Sequence, residues 1–183
     1  MAEFRFQLTD EEKAYLKDLV RTSITRTLRG DLTALPEPPT DKLREPLGVF
    51  VTLKIGGRLR GCIGHIVGDK PLYQTVTEMA RCAAFEDPRF PPLTERELER
   101  AEIEISVLSP LTPCPDPMMV EVGRHGLLMR QGMRSGLLLP QVPVEWGWDR
   151  ETFLRQTCAK AGLGSGCWKD PNTAIFWFEA EVF

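Results

Sequence analysis

Between Thr9 and Gly30 the apolar residues Leu16, Leu19, Val20, Ile24 and Leu28 recur at helical spacing, which predicts a first helix. Thr9 with Glu12 has the pattern of a capping box, and Gly30 stands where a C-terminal cap belongs. Leu35 to Pro46 mixes four prolines with charges and reads as an irregular connection. Val49 to Ile55 then reads as a strand, Gly56-Gly57 supplies the two positive-φ positions of a tight hairpin, and Arg58 to His65 is the return strand. A straight register would face Ile55 with Arg58, Leu53 with Arg60 and Val51 with Cys62, placing Cys62 on one sheet face with Arg58, Arg60 and Gly64. A second helix opens at Pro71 and carries Leu72, Val76, Met79, Ala80 and Ala83 on one face. It ends before Asp87-Pro88, since the residue preceding a proline avoids helical geometry.

After the extended run Pro88 to Leu93, Thr94 and Glu97 predict a capped short helix. Ile103, Ile105 and Val107 alternate with glutamates and a serine, as in a strand with one wet face. From Met118 onward short strands are expected, turned at Gly123, Gly126, Gly132 and Gly136. A last helix capped by Asp149 carries Phe153, Leu154, Cys158 and Ala161 and stops at Gly162, ahead of a closing strand from Thr173 to Val182. Hairpins with helices inserted irregularly predict an α+β fold rather than a doubly wound sheet.

Composition changes the picture mainly by exclusion. A chain of 183 residues suits one domain or two joined subdomains, and a net charge of −3 offers no bulk attraction to nucleic acid or anionic lipid. No apolar run approaches the roughly 20 residues of a membrane span. The start Met1-Ala2-Glu3-Phe4-Arg5 lacks a signal-peptide core, so a cytoplasmic location is expected. The cysteines at 62, 82, 114, 158 and 167 are odd in number and lack a C-x-x-C pair, so all five are expected to be reduced thiols. Cys62 and His65 have the spacing of a metal pair, but no second pair completes a site, and no metal is expected. Gly61, Gly64 and Gly68 form neither a dinucleotide fingerprint nor a P-loop, and no cofactor is expected.

The candidate chemistry centres on Arg58-Leu59-Arg60-Gly61-Cys62-Ile63-Gly64-His65, which sets a thiol between two glycines and beside two guanidiniums. Cys62 could be a nucleophile stabilised by Arg60 or a histidine, or a small strand residue. Of the two histidines, His65 follows too closely along an extended strand to curl back, so His125 is the better partner for a Cys-His dyad; a turn role for His125 is the competing reading. Arg60 could hold a carboxylate or phosphate, whereas Arg58 beside the turn reads as solvated. Arg89 in Asp87-Pro88-Arg89-Phe90 could aim at a ligand or pair with Asp87 or Glu86 as a structural joint. Trp146 and Trp148 could wall a binding cleft, and Lys160 reads as a charge favourable near a helix C-terminus.

Leu59-Arg60-Gly61-Cys62-Ile63-Gly64 resembles the signature hexapeptide of the AMMECR domain family, known in many prokaryotes as protein A of the AmmeMemoRadiSam system. Further stretches match in order over nearly the whole chain, among them 83–93, 102–109, 123–127, 138–142, Trp148-Asp149 and 160–162. The resemblance implies mainly antiparallel sheets with helices flanking the larger one, a larger subdomain of residues 1–87 plus 145–183, and a smaller one of 88–144. It also implies a cleft between them with the hexapeptide near it, where Arg60, Gly61, Cys62, Ile63, Gly64 and Arg89 would bind a small anionic molecule or a partner segment. Its name further implies association with Memo-type and radical-SAM proteins in a modification pathway, without assigning an enzyme class. The alternatives are a thiol-dependent enzyme with Cys62 as nucleophile and an accessory factor in nucleic-acid or translation processes. The latter suits a chain without basic excess poorly.

Overall fold

The computed structural model describes residues 7–31, 33 and 36–183. The N-terminal stretch read above as lacking a signal core, and Leu35 at the start of the proline-rich connection, lie outside the described residues. The chain divides into two compact units, one reaching Leu108 and including Glu181–Phe183, the other Ser109–Ala180. These bounds differ from the subdomains that the resemblance implied. The Asp87 joint lies inside the first unit, because Leu93 is buried in its core and its N–H donates to the Ala84 carbonyl at 2.8 Å.

In the first unit, helix α1 (Asp10–Arg29) begins at Thr9 with both halves of the capping box formed and ends at Gly30, whose φ of 67° is the left-handed geometry that favours glycine. A single helical turn at Asp41–Arg44 interrupts the proline-rich connection, anchored by buried Leu43; the sequence pattern gave no sign of it. Strands β1 (Gly48–Ile55) and β2 (Arg58–His65) form the hairpin, with Gly56 and Gly57 at φ 56° and 72°. Helix α2 (Leu72–Phe85), the short α3 (Glu95–Arg100) with its Thr94–Glu97 capping box, and strand β3 (Glu102–Leu108) follow. The sheet order is β2-β1-β3, antiparallel throughout.

Val49, Val51 and Leu53 of β1 and Ile103, Ile105 and Val107 of β3 share the face that packs on Leu16, Leu19, Val20 and Ile24 of α1 and Val76, Met79 and Ala83 of α2. Each such fully buried aliphatic side chain contributes about 1.5–3 kcal/mol relative to exposure. The opposite face of β3 is wet only in part. Glu104 pairs with Lys54 at 2.8 Å, but Ser106 is fully buried and its hydroxyl has no hydrogen-bond partner among the described residues.

In the second unit, β4 (Thr112–Pro113), β5 (His125–Gln131) and β6 (Arg134–Leu138) join β7 (Ala174–Val182), whose residues through Ala180 belong here, in an antiparallel sheet. Gly132 turns the β5–β6 hairpin at φ 57°. Gly126 and Gly136, expected as turns, instead sit inside strands, where a Cβ would overlap the Phe178 ring and the Ala161 backbone respectively. A short helix α4 (Gln141–Glu145) precedes α5 (Arg150–Lys160), which Asp149 caps through Thr152 N–H and which carries Lys160 in its last turn. The core comprises Val120, Leu127, Met129, Phe153, Leu154, Cys158, Cys167 and Trp177.

One expectation about the cysteines is corrected. Cys158 and Cys167 form a disulfide, while Cys62, Cys82 and Cys114 are free. The turn at Gly162 returns the chain so that two side chains nine residues apart meet within the core, which spacing alone does not reveal. Met129 sulfur lies 3.3 Å and 3.5 Å from the two cysteine sulfurs. Among the described residues no helix is long and apolar enough to cross a membrane, and no three His, Cys, Asp or Glu side chains cluster as metal ligands would.

Candidate functional site

The hairpin register decides where the thiol points. Ile55 faces Arg58 as expected, but the ladder slips between Leu53 and Lys54, so that Lys54 pairs with Leu59, Leu53 with Gly61 and Thr52 with Cys62. Arg60 is the extra residue of a β-bulge. A one-residue shift exchanges the two faces of a strand, so Gly61 and Ile63 meet the helices while Cys62 joins Thr52 on the other face, contrary to the straight register. The reason is steric. Gly61 lies against α2 so closely that a Cβ would overlap the Ala83 carbonyl oxygen, and no larger residue of the octet fits there. Gly64 likewise has the Phe50 ring above it, so the missing side chain makes room for an aromatic.

The bulge also turns Arg60 into a buried, forked interaction. Its Nε and Nη2 donate to Glu97 at 2.8 and 3.2 Å, and Nη2 donates to the Pro91 carbonyl at 2.9 Å. This guanidinium, followed by the Thr94 N–H, pulls the Glu97 carboxyl down to about 2. Glu97 thus both caps α3 and holds Arg60.

Cys62 is partly accessible, and the Thr52 hydroxyl donates to its sulfur at 3.2 Å. Strand β2 is the edge of the first sheet, and the outward-facing backbone of Cys62 is capped on both sides. Its N–H donates to Asp87 Oδ2 at 2.9 Å, and its carbonyl accepts from Arg89 Nη2 at 3.2 Å. Asp87 and Arg89 bind each other through two side-chain contacts at 2.9 and 2.7 Å, and Arg89 N–H adds a third. Arg89 chiefly, then the Cys62 and Arg89 N–H groups, hold the Asp87 carboxyl far below the usual carboxylate range despite its burial. The Asp87 side chain is 2% exposed and that of Arg89 53%. Arg89 and Arg60 both lie over the Phe90 ring, at 5.6 and 5.7 Å.

The structure therefore gathers Arg60, Gly61, Cys62, Ile63, Gly64 and Arg89 around one stretch of edge strand, with Arg60 committed to Glu97 and Arg89 left half exposed. Asp87, Glu97 and Phe90 complete the cluster. The Asp87-Pro88-Arg89-Phe90 motif hinted at Asp87 and Phe90, Glu97 was readable only as a helix cap, and the 25-residue separation of Cys62 from Asp87 hid the contact.

His125 belongs to the second unit. It is buried and stacks on Trp177 at 4.4 Å, and its Nδ1 accepts the Glu121 N–H at 3.0 Å. That hydrogen bond commits one lone pair and leaves the proton on Nε2, so the ring is not poised as a base. Burial, followed by the Arg124 guanidinium, depresses its protonation, keeping the ring neutral. Exposed His65 ends β2. Trp146 is 70% exposed and stacks on Trp148 with ring centroids 6.2 Å apart. A groove between α1 and α3, lined by Arg21, Leu28, Glu95 and Leu98, contains none of the expected site residues. Its arginines are engaged: Arg21 caps the Leu98 and Ala101 carbonyls, and Arg29 pairs with Glu95.

Comparison with known proteins bears on the whole chain. A Thermococcus gammatolerans protein is 45% identical over 97% of this chain and 92% of its own length, and Methanopyrus kandleri MK0488 is 46% identical over 97% and 90%. The solved structure of the uncharacterized protein PH0010 from Pyrococcus horikoshii superposes with a TM-score of 0.90 at 41% identity, covering 97% of this chain and 93% of that one. The AMMECR1 family model matches residues 17–183, so this chain belongs to the AMMECR1 family.

Proposed function

We propose that this domain is a binding module whose seat is the capped edge of β2, and that it takes a carboxylate or phosphate carried by a small molecule or by a segment of a partner protein. The observation that carries the reading is the state of Arg89. Its Nε and Nη2 are fixed by Asp87 and Cys62, so the guanidinium is already oriented, while half of the side chain faces solvent and Nη1 makes no hydrogen bond among the described residues. A planar donor held in place loses little entropy on meeting an anion. Phe90 beside it offers an apolar surface for the rest of the ligand, and partly accessible Cys62 borders the seat. Arg60 acts here through position, fixing the bulge, rather than by touching ligand. A partner from a modification pathway with Memo-type and radical-SAM proteins would be consistent with this seat.

The test is a titration with inorganic phosphate and with acetate, followed through the backbone amide resonances of Cys62 and Arg89. Saturable shifts confined to this edge, weakened in Arg89→Lys, are expected. Lysine keeps the charge but not the fork. Binding that is unchanged in Arg89→Lys would reject the seat.

A second reading, thiol chemistry at Cys62, is favoured by the accessible sulfur and by the Thr52 hydroxyl that donates to it. Burial raises the thiols of Cys82 and Cys114, so both should label slowly. Labelling of Cys62 much faster than both, and slowed in Thr52→Val, would support the thiol reading over the binding module.

A further inference from the structure

The second unit carries a surface that neither its core nor the seat on β2 uses. Met118 is 56% exposed, Met119 49%, Val144 58% and Trp146 70%, with Val122 at 38%. Two stretches that touch each other carry these residues. The loop from Asp116 to Arg124 packs on the segment around α4. Arg150 Nε donates to the Val120 carbonyl at 2.6 Å, and a Cβ on Gly123 would lie 3.2 Å from Val144 Cγ2. Trp148 N–H donates to the Pro143 carbonyl at 2.8 Å, which folds the Trp146–Trp148 pair back beside α4. Neighbours in the same two stretches, Val120 and Pro143, are buried, whereas these residues are left outside the core.

Charge indicates what covers the patch. The same two stretches carry Asp116, Glu121, Glu145, Asp149 and Glu151 against Arg124 and Arg150, with Arg155 of α5 near enough to act on Asp149. Arg150 is spent on the Val120 carbonyl, and Arg124 is shared between Glu121 and Glu179. Glu145 and Glu151 make no ion pair among the described residues and are exposed. A rim of carboxylates around exposed indole and thioether groups repels anionic surfaces and attracts cations, and indole faces add cation–π attraction to Lys and Arg. Methionines adapt their shape to an aliphatic partner.

We propose that this face is a docking surface for a partner-protein segment that presents aliphatic residues flanked by Lys or Arg, in the manner of a basic amphipathic helix. Trp146 is its anchor, Met118, Met119 and Val144 form the apolar floor, and Glu145 and Glu151 select for positive charge. The proposal is independent of the anion seat, which lies in the first unit.

The experiment uses the full chain and two designed amphipathic peptides, one of Leu and Lys, the other of Leu and Glu, each labelled for anisotropy. The Leu/Lys peptide should bind and weaken steeply with salt, whereas the Leu/Glu peptide should not bind. Trp146→Ala should weaken binding by about tenfold or more, as truncation of an aromatic anchor does. Val144→Ser should weaken it less, and Glu145→Lys with Glu151→Lys should abolish the preference between the peptides. All these positions are exposed, so unchanged melting of each variant confirms that folding is intact. Equal binding of both peptides, or binding of neither, would overturn the proposal. Concentration-dependent self-association of the protein alone, removed by Trp146→Ala, would also overturn it by assigning the face to a second copy.

Discussion

The two units are held together by different means. In the first, a broad aliphatic core is locked at its edge by charged side chains. Asp87 and Arg89 clamp the backbone of Cys62, and Glu97 and Arg60 clamp the bulge. In the second, a smaller core is tied by a covalent bond, Cys158 to Cys167, with Met129 against both sulfurs. An ionic clamp responds to pH and is specified by residues far apart in sequence, whereas a disulfide responds to thiol reagents and closes a short loop. The units should therefore fail under different treatments.

The largest expected effect comes from Gly61→Val. The added side chain would run into the Ala83 carbonyl, which is backbone and cannot swing away, so the loss should be about 3 kcal/mol or more, measured by urea denaturation. A variant of near-native midpoint would show that β2 and α2 separate easily, which the lock argument forbids. Asp87→Ala should follow at about 3 kcal/mol, because it frees the Cys62 N–H and strips Arg89 of its partner. Hydrogen exchange should report the Cys62 amide opening first, with β5 and β6 unaffected.

Cys158→Ala with Cys167→Ala sharpens the comparison from the other side. A loop closed over nine residues is worth about 2–3 kcal/mol, and the loss should appear in the second unit alone. Reduction of the wild-type protein should reproduce it. If Gly61→Val opens the amides of β5 and β6, or the cysteine variant opens the Cys62 amide, in hydrogen exchange, the division of labour is wrong.

The smallest effect is acid sensitivity. Glu97 is held at about 2 by Arg60, below the ordinary carboxylate value of 4.5, and Asp87 lies lower still. Groups with depressed folded-state values contribute their full stabilisation above the unfolded value and lose it as pH falls towards the folded one. Unfolding midpoints should be flat from pH 7 to about 5 and decline from about 4.5 towards 2. Glu97→Gln should flatten part of that decline, and a variant that declines as steeply as wild type would remove Glu97 from the lock.

Local signals were readable from the sequence. The capping boxes at Thr9 and Thr94, the glycine stops at Gly30 and Gly162 and the Gly56-Gly57 turn depend on residues at most three or four apart, and each formed as expected. What depended on distant packing was not readable. The contact of Gly61 with Ala83 forces the bulge, and only one hint of it lay in the pattern: a straight register would have paired apolar Val51 with Cys62 and left Ile63 on the opposite face from the core row. The Asp87 clamp on Cys62, the disulfide and the short α4, which contains Pro143, left no periodic trace. The family assignment needed none of these, because it rests on motifs rather than on geometry.

The extra residue at Arg60 acts as a parity bit for everything downstream on its strand. Deleting it would leave the hexapeptide almost intact to the eye while rotating the thiol into the helix layer and driving Ile63 outward. Two chains could then share Gly-Cys-Ile-Gly letter for letter and yet present opposite residues to solvent. The unit that carries meaning here is the motif together with its phase, counted from the hairpin turn, and roles should be transferred between relatives only where that count agrees.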